Sequence, residues 1–263
     1  MLKHQEFNLD KALEHIDNTM DDQNFEKVET IPDLDDENSK YTYDNGFYAD
    51  CTAFFIDIRH STDLTEKVDS HTRAKFYRAY IGQMVSILRS FESCKLVNIV
   101  GDCVSAIFQC KDCERQGDPA DVIDSLKAAS MAQGMMDLIN SKFKKSNHTF
   151  EAIDFGIGIN RGETLVIKTG DKGSGIHKLV FLGDCVNFAS HLCDRACEYK
   201  HTLITEEIYN NCKNYICNDD EQCTFSSFFK IHNDPEINND KRIFYGNFCR
   251  MSIENKAKEI TNE

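Results

Sequence analysis

Thr52–Ile58 reads TAFFIDI, an apolar run fit for a buried strand with one charge, Asp57, embedded in it. A carboxylate inside such a run is expensive to desolvate unless something compensates it. Asp102 lies 45 residues further on, in the stretch Lys95–Val100 (KLVNIV), Gly101-Asp102, Cys103–Gln109. Two apolar runs separated by two residues read as a hairpin, so the second acid sits in its turn. Between the acids, Phe76, Tyr80, Met84, Ile87, Leu88 and Phe91 recur at three- and four-residue steps. That spacing predicts an amphipathic helix over about 72–91. Ser61-Thr62-Asp63 opens a shorter helix before it, and Asp63 with Glu66 has capping-box spacing.

Downstream, Ala120–Phe143 is expected to be a long helix beginning after Pro119. Phe150–Asn160 follows as a strand, with Phe155, Ile157 and Ile159 alternating onto one side. Arg161-Gly162 is expected to turn that strand and Glu163–Lys168 to return it. Lys178–Leu182 reads as a strand and Cys185–Tyr199 as a helix. Thr202–Thr205, Thr224–His232 and Arg242–Cys249 close the sheet. The order strand, helix, strand, strand, helix, strand resembles the split βαβ, ferredoxin-like (βαββαβ) arrangement. The expected class is therefore α+β, a mainly antiparallel sheet flanked by helices. Residues 1–50 read as an acidic N-terminal extension, mostly solvated linker with a short helix near Leu9–Ile16. Residues 51–250 form the main domain, and 251–263 a polar, frayed tail.

The chain has 263 residues, with 30 Lys and Arg against 44 Asp and Glu, for a net charge of −14. That charge argues against a nucleic-acid polymer as ligand, which needs a basic face. A small nucleotide needs only a few local cations or metals. No run of about 18 apolar residues suggests a membrane span, and the N-terminus has no apolar secretory core, so a cytoplasmic protein is expected. Its twelve cysteines are then expected to be reduced thiols. Cys110-Lys-Asp-Cys113 is the only CxxC, and no second pair completes a zinc site.

Asp57 ends a buried strand and Asp102 lies in a turn, and a ferredoxin-like sheet sets the first strand beside the hairpin. Two carboxylates brought together repel unless a cation lies between them. Two divalent ions, Mn²⁺ or Mg²⁺, suit such oxygen ligands and also hold a triphosphate. Ile58, Arg59, Ser61 and Thr62 lead from the strand-end acid into a helix, whose first backbone N–H groups are suited to an anion.

Phe55–Thr62 (FIDIRHST) resembles the first signature of the class III nucleotidyl cyclases, and Val100–Phe108 (VGDCVSAIF) resembles their metal-binding hairpin. Phe155–Gly162 (FGIGINRG) and Phe181–Ser190 (FLGDCVNFAS) resemble their third and fourth motifs, and the four occur in family order. Within that family the chain is similar to the isolated cyclases of bacterial anti-phage pyrimidine signalling (Pycsar). The form of the first motif and an Ile31-Pro32-Asp33 element carry this likeness. The resemblance implies a uridylate or cytidylate cyclase whose product activates a separate effector protein. It implies Asp57 and Asp102 as metal ligands with the Ile58 carbonyl as a third, and Asn187 as the ribose-positioning residue. It also implies a head-to-tail homodimer, one protomer supplying the acids and the other the Asn187 side.

Two departures from the family pattern matter. The purine-reading positions fall on Asn98 and near Val180, which form neither the adenine nor the guanine pair. An asparagine both donates and accepts, so it suits a pyrimidine edge, and Phe47, Tyr48 and Phe54 are candidates to narrow the pocket, with core packing the favoured role of Phe54. The transition-state arginine position holds His191, with Arg195 one helical turn later on the same side. Lys230, Lys241 and Arg242 are candidates for a phosphate-binding cation. An adenylate cyclase, and a degenerate domain that only binds nucleotide, are the alternative readings.

Overall fold

A computed structural model describes residues 6–20, 24–32, 40–59, 68–146, 150–171, 176–196, 201–217, 224–232, 242–248 and 251–262. The expected helix at Ser61–Asp63, including Ser61 and Thr62, lies outside them, as do Asp33 and Lys241.

The chain forms two compact units. The larger comprises residues 50–164 and 182–263. In it, most of β2 (Asn45–Ile58), α2 (Ser70–Arg89), the hairpin β3 (Cys94–Val100) and β4 (Cys103–Phe108), the short β5 (Glu114–Arg115) and β6 (Asp118–Pro119), α3 (Ala120–Ser146) and the first part of β7 (Phe155–Asp171) follow in that order. The sheet order β7-β2-β4-β3 is that of a ferredoxin-like core, with β2/β4 and β3/β4 antiparallel. Three further strands extend the sheet beyond β7. These are β9 (Thr202–Thr205), parallel to β7, then β11 (Ile243–Gly246) and β10 (Phe229–His232), both antiparallel. A mostly antiparallel α+β fold is what the sequence order predicts.

Alternation along the strands assigns the layers. Phe54, Ile56 and Ile58 of β2, Val104, Ala106 and Phe108 of β4, and Phe155, Ile157 and Ile159 of β7 join one apolar core. Phe76, Tyr80, Met84, Ile87 and Leu88 of α2 and much of α3 cover it. Asp69 caps α2 by accepting hydrogen bonds from the backbone N–H groups of His71 and Thr72. Helix α4 (Asp184–Ala196) meets the other side of the sheet. There β7 offers glycines. A Cβ at Gly156 would lie 2.4 Å from the Cys193 carbonyl, and one at Gly158 would lie 2.1 Å from the Ala189 carbonyl. The sequence FGIGI thus gives one face of isoleucines to the core and a bare face to the backbone of α4.

The smaller unit comprises residues 1–49 and 165–181. It holds α1 (Leu9–Met20), β1 (Asn24–Lys27) parallel to the start of β2, the end of β7, and β8 (Ile176–Leu182) paired with β7. Ile31, Tyr41 and Phe47 are buried. Linker composition hid this, because the apolar residues are few and widely spaced.

Three further expectations are corrected. β7 runs unbroken through Arg161-Gly162, where no turn forms. Instead the Arg161 guanidinium reaches the buried Asp121 carboxylate at 3.2 Å and Glu207 at 3.5 Å. The tail forms a helix, α6 (Met251–Asn262), after the short α5 (Glu206–Asn210). Ala257 and Ile260 of α6 are buried, and α6 packs on α3. Cys110 and Cys113 are bonded as a disulfide, their Cα atoms 5.5 Å apart and within the usual range. Cys51, Cys94, Cys103, Cys185, Cys193, Cys212 and Cys217 are free thiols. No helix among the described residues is long and apolar enough to cross a membrane.

Candidate active site

Asp57 points away from the α2–α3 core, since its strand neighbours Ile56 and Ile58 are buried within it. Its side chain is one-quarter exposed. Burial and then the Asp102 carboxylate push it up to about 6, against an ordinary 3.8; Asp194 adds to this, while Arg59 and the Ile58 N–H pull it down. One carboxylate oxygen, Oδ1, is buried and has no hydrogen-bond partner. Buried acceptors are nearly always satisfied, so an orphaned carboxylate oxygen beside a second acid has the chemistry of a cation ligand. The residues present therefore fit a divalent ion held by Asp57 and Asp102, with the adjacent Ile58 carbonyl available.

The hairpin brings Asp102 there. The ladder between β3 and β4 ends at Val100↔Cys103, leaving Gly101-Asp102 as its turn, and Gly101 has a φ of +63°, which glycine adopts without strain. On β2 the ladder to β4 reaches Ile56↔Val104, one residue before Asp57. The Tyr80 hydroxyl, buried on α2, donates to the Ile56 carbonyl at 3.2 Å and fixes the strand there. The Cys103 thiol is pushed up to about 12 by burial and by Asp57, Asp102 and Asp194, so it stays a neutral lining group. Tyr77 is raised by burial and by the same two acids.

Arg59, placed by sequence at a phosphate, sends its guanidinium to α4. Nη2 donates to the Cys193 carbonyl, while Nη1 lies 3.8 Å from Asp57 Oδ2 and 3.7 Å from Asp194 Oδ1. The sequence reading missed Asp194 and Cys103. Asp194 lies two helical turns past Asn187, a spacing that carries no signal until α4 is docked.

Asn98 pairs with Ser105, which pairs in turn with Phe55. Directly opposed residues share a face, so Asn98 shares that of Phe55 and, two residues along, of Asp57. Asn98 is half-buried. Asn187 and His191 are exposed on α4, whose buried side is Cys185, Ala189, Leu192, Cys193 and Ala196; Arg195 is half-buried. Neither the Asn187 nor the His191 side chain hydrogen-bonds to Asp57 or Asp102. Val180 is half-buried on β8 of the smaller unit. Phe54 does not line an open pocket: it is 1% exposed and packs edge-on against Phe108 in the core. Phe47 packs edge-on against Tyr41, and Arg242 pairs with Glu206 at 3.2 Å.

Residues 44–231 match the family described as the adenylate and guanylate cyclase catalytic domain. A protein of Gulbenkiania mobilis named uridylate cyclase is 43% identical over 262 residues, covering 97% of this chain and 98% of that protein. A second uridylate cyclase, from Treponema porcinum, is 29% identical over 66% of this chain and 59% of its own length. Among solved structures, the adenylyl cyclase CyaB of P. aeruginosa superposes with a TM-score of 0.63, covering 78% of this chain and 97% of that one. At 20% identity that likeness concerns the fold. Two acids on neighbouring strand ends of a ferredoxin-like sheet, and a sequence match across most of the same sheet, lead to one conclusion: the chain belongs to the class III nucleotidyl cyclases.

Proposed function

We propose that the protein is a uridylate cyclase, converting UTP to 3′,5′-cyclic UMP and pyrophosphate in the cytoplasm. The observation that carries the chemistry is the Asp57 carboxylate, raised beside Asp102 with an unpartnered buried oxygen. The choice of uridine rests on the 43% identity to the uridylate cyclase of G. mobilis, and on Asn98, which is neither the lysine nor the glutamate of purine cyclases.

Asp57, Asp102 and the Ile58 carbonyl would hold two divalent ions, Mn²⁺ or Mg²⁺. When bound, such ions neutralise the triphosphate and favour ionisation of the ribose 3′-hydroxyl. The 3′-oxygen forms a bond to the α-phosphorus as the bond from that phosphorus to the bridging oxygen of pyrophosphate breaks. The hydroxyl proton passes to solvent, and pyrophosphate leaves with the bonding pair. Asn187 orients the ribose, and His191 or Arg195 carries positive charge to the phosphates. Asn98 reads an edge of the base. Asn187 and His191 are exposed, which suits their serving the acid site of a second protomer in a head-to-tail homodimer. The cyclic nucleotide then acts on a separate effector, as in anti-phage signalling.

The test is purified protein with Mn²⁺ and each of ATP, GTP, CTP and UTP separately, with products resolved by mass. Cyclic UMP as the main product is expected. Cyclic AMP alone would overturn the base assignment and retain the metal site. Product from Asp57→Ala would overturn the metal site itself.

A further inference from the structure

The structure assigns Arg59 as a positioning residue that holds the metal-binding acid Asp57 in register with helix α4, rather than as a phosphate ligand. This inference rests on the reading of Asp57 as a metal ligand and extends it to a residue that touches neither metal nor substrate.

Three observations converge on it. First, the Arg59 side chain is only 15% exposed, and the contacts of its guanidinium point inward. It donates to the Cys193 carbonyl in the last turn of α4 and lies between the carboxylates of Asp57 and Asp194. A cation at the C-terminal end of a helix is favourably placed against the helix dipole. Second, β7 is shaped to let it through. A Cβ at Gly156 would lie 2.8 Å from Arg59 Nη2, as well as 2.4 Å from the Cys193 carbonyl and 3.2 Å from Ala196. The bare strand therefore accommodates both α4 and the arginine. Third, the backbone of Arg59 is itself fixed, its N–H donating to the Asp154 carbonyl at 2.8 Å where the chain enters β7. Backbone and side chain together thus make Arg59 tie three elements at one end of the sheet: the end of β2, the entry to β7 and the end of α4.

Only a guanidinium meets all of these demands at once. Its planar fork offers several donors in fixed directions, whereas a lysine ammonium is a compact point charge on a flexible stem. Substituting Arg59→Lys keeps the charge beside Asp57 and loses the simultaneous hold on the Cys193 carbonyl. Residues that orient metal ligands from behind typically carry 10–100-fold in metal affinity or activity.

The experiment compares wild type, Arg59→Lys and Asp194→Asn by three measurements. These are Mn²⁺ binding to nucleotide-free protein by electron paramagnetic resonance, kcat and KM for the nucleoside triphosphate that wild type cyclises, and thermal unfolding. Arg59→Lys is expected to weaken Mn²⁺ binding about 5–10-fold and to lower kcat about 10–100-fold, with KM changed less than about 2-fold. Asp194 is 62% exposed, so Asp194→Asn is expected to have a smaller but measurable effect, lowering kcat and Mn²⁺ affinity about 2–5-fold. A rise in KM of about 10-fold with kcat kept would instead make Arg59 a substrate ligand and overturn the inference. Wild-type Mn²⁺ binding and kcat in a folded Arg59→Lys protein would reduce the cluster to a structural ion group, with the same consequence. Should Arg59→Lys melt far below wild type, Asp194→Asn decides by the same readouts: a kcat unchanged within error overturns the inference. Cyclisation of a nucleotide other than UTP by wild type would refute the base assignment while leaving the Mn²⁺ measurements to judge Arg59.

Discussion

Replacing Asp57 by asparagine separates the stability of this protein from its chemistry. The Asp57 carboxyl is pushed up to about 6 from an ordinary 3.8. That difference corresponds to about 3 kcal/mol by which the fold disfavours the ionised form. The sign is the reverse of the usual salt-bridged carboxylate. At pH 8 Asp57 is ionised in both folded and unfolded chains, so the whole penalty is present. Stability carried by the protonated form is complete below about pH 4 and is lost as the pH rises through about 6. Asparagine removes the repulsion from Asp102 but gives up the attraction to Arg59 and keeps a polar group at the buried oxygen. The net expectation in chelator at pH 8 is that Asp57→Asn is more stable by about 1–3 kcal/mol. At about 2–4 °C per kcal/mol this is a rise of several degrees in Tm. The gap narrows as the pH falls from about 6 to about 4. The same substitution is expected to lower kcat at least about 1,000-fold, and Mn²⁺ should raise the Tm of wild type and leave that of the variant unchanged. Differential scanning calorimetry at pH 8 and pH 4.5, with and without Mn²⁺, measures all of this. A variant melting at or below wild type at pH 8 in chelator, with the same gap at pH 4.5, would refute the electrostatic reasoning.

Gly158→Ala places a methyl 2.1 Å from the Ala189 carbonyl and 2.3 Å from the Cys193 amide nitrogen. Both are backbone atoms that cannot swing aside, so urea unfolding should show a loss of about 2–4 kcal/mol. The Asp124 side chain is 3% exposed. It accepts from the Ser93 hydroxyl at 2.8 Å and from Arg115. Because Arg115 is itself 38% exposed, Asp124→Ala should destabilise by about 1–3 kcal/mol, less than a fully buried ion pair would. His191→Ala, at an exposed helix position, should leave stability within about 0.5 kcal/mol. It should nonetheless lower kcat about 10-fold or more if the imidazole faces the phosphates; an unchanged turnover number would pass that role to Arg195.

Much of this architecture is legible in local patterns. The apolar steps of Phe76, Tyr80, Met84, Ile87 and Leu88 become the buried face of α2, because a helix repeats its faces every three to four residues whatever surrounds it. Val100-Gly-Asp-Cys forms a hairpin because glycine at a positive φ suits that turn. Asp57 is conspicuous because a charge in an apolar run must be compensated, which follows from solvation energy before any fold is known; Asp102 gains meaning only because its hairpin is expected beside that strand. Local reading failed where the decisive partner is remote. Arg161-Gly162 looks like a turn, yet the strand continues, since Asp121 and Glu207 lie 40 and 46 residues away in sequence. The tail looks frayed because its apolar residues are sparse, and it is helical because α3 covers the few that it has.

Sequence alone determined the strand–helix–strand–strand–helix–strand order of the central core, the two acids and the side of β7 that enters the core. All of these depend on solvation and on periodicity within one segment. Only the tertiary structure decided what Arg59 holds. Its contacts on α4 exist because Gly156 and Gly158, exposed by strand alternation, let a helix backbone approach within van der Waals distance. Such an approach depends on two surfaces meeting, and neither surface carries it in its own residues.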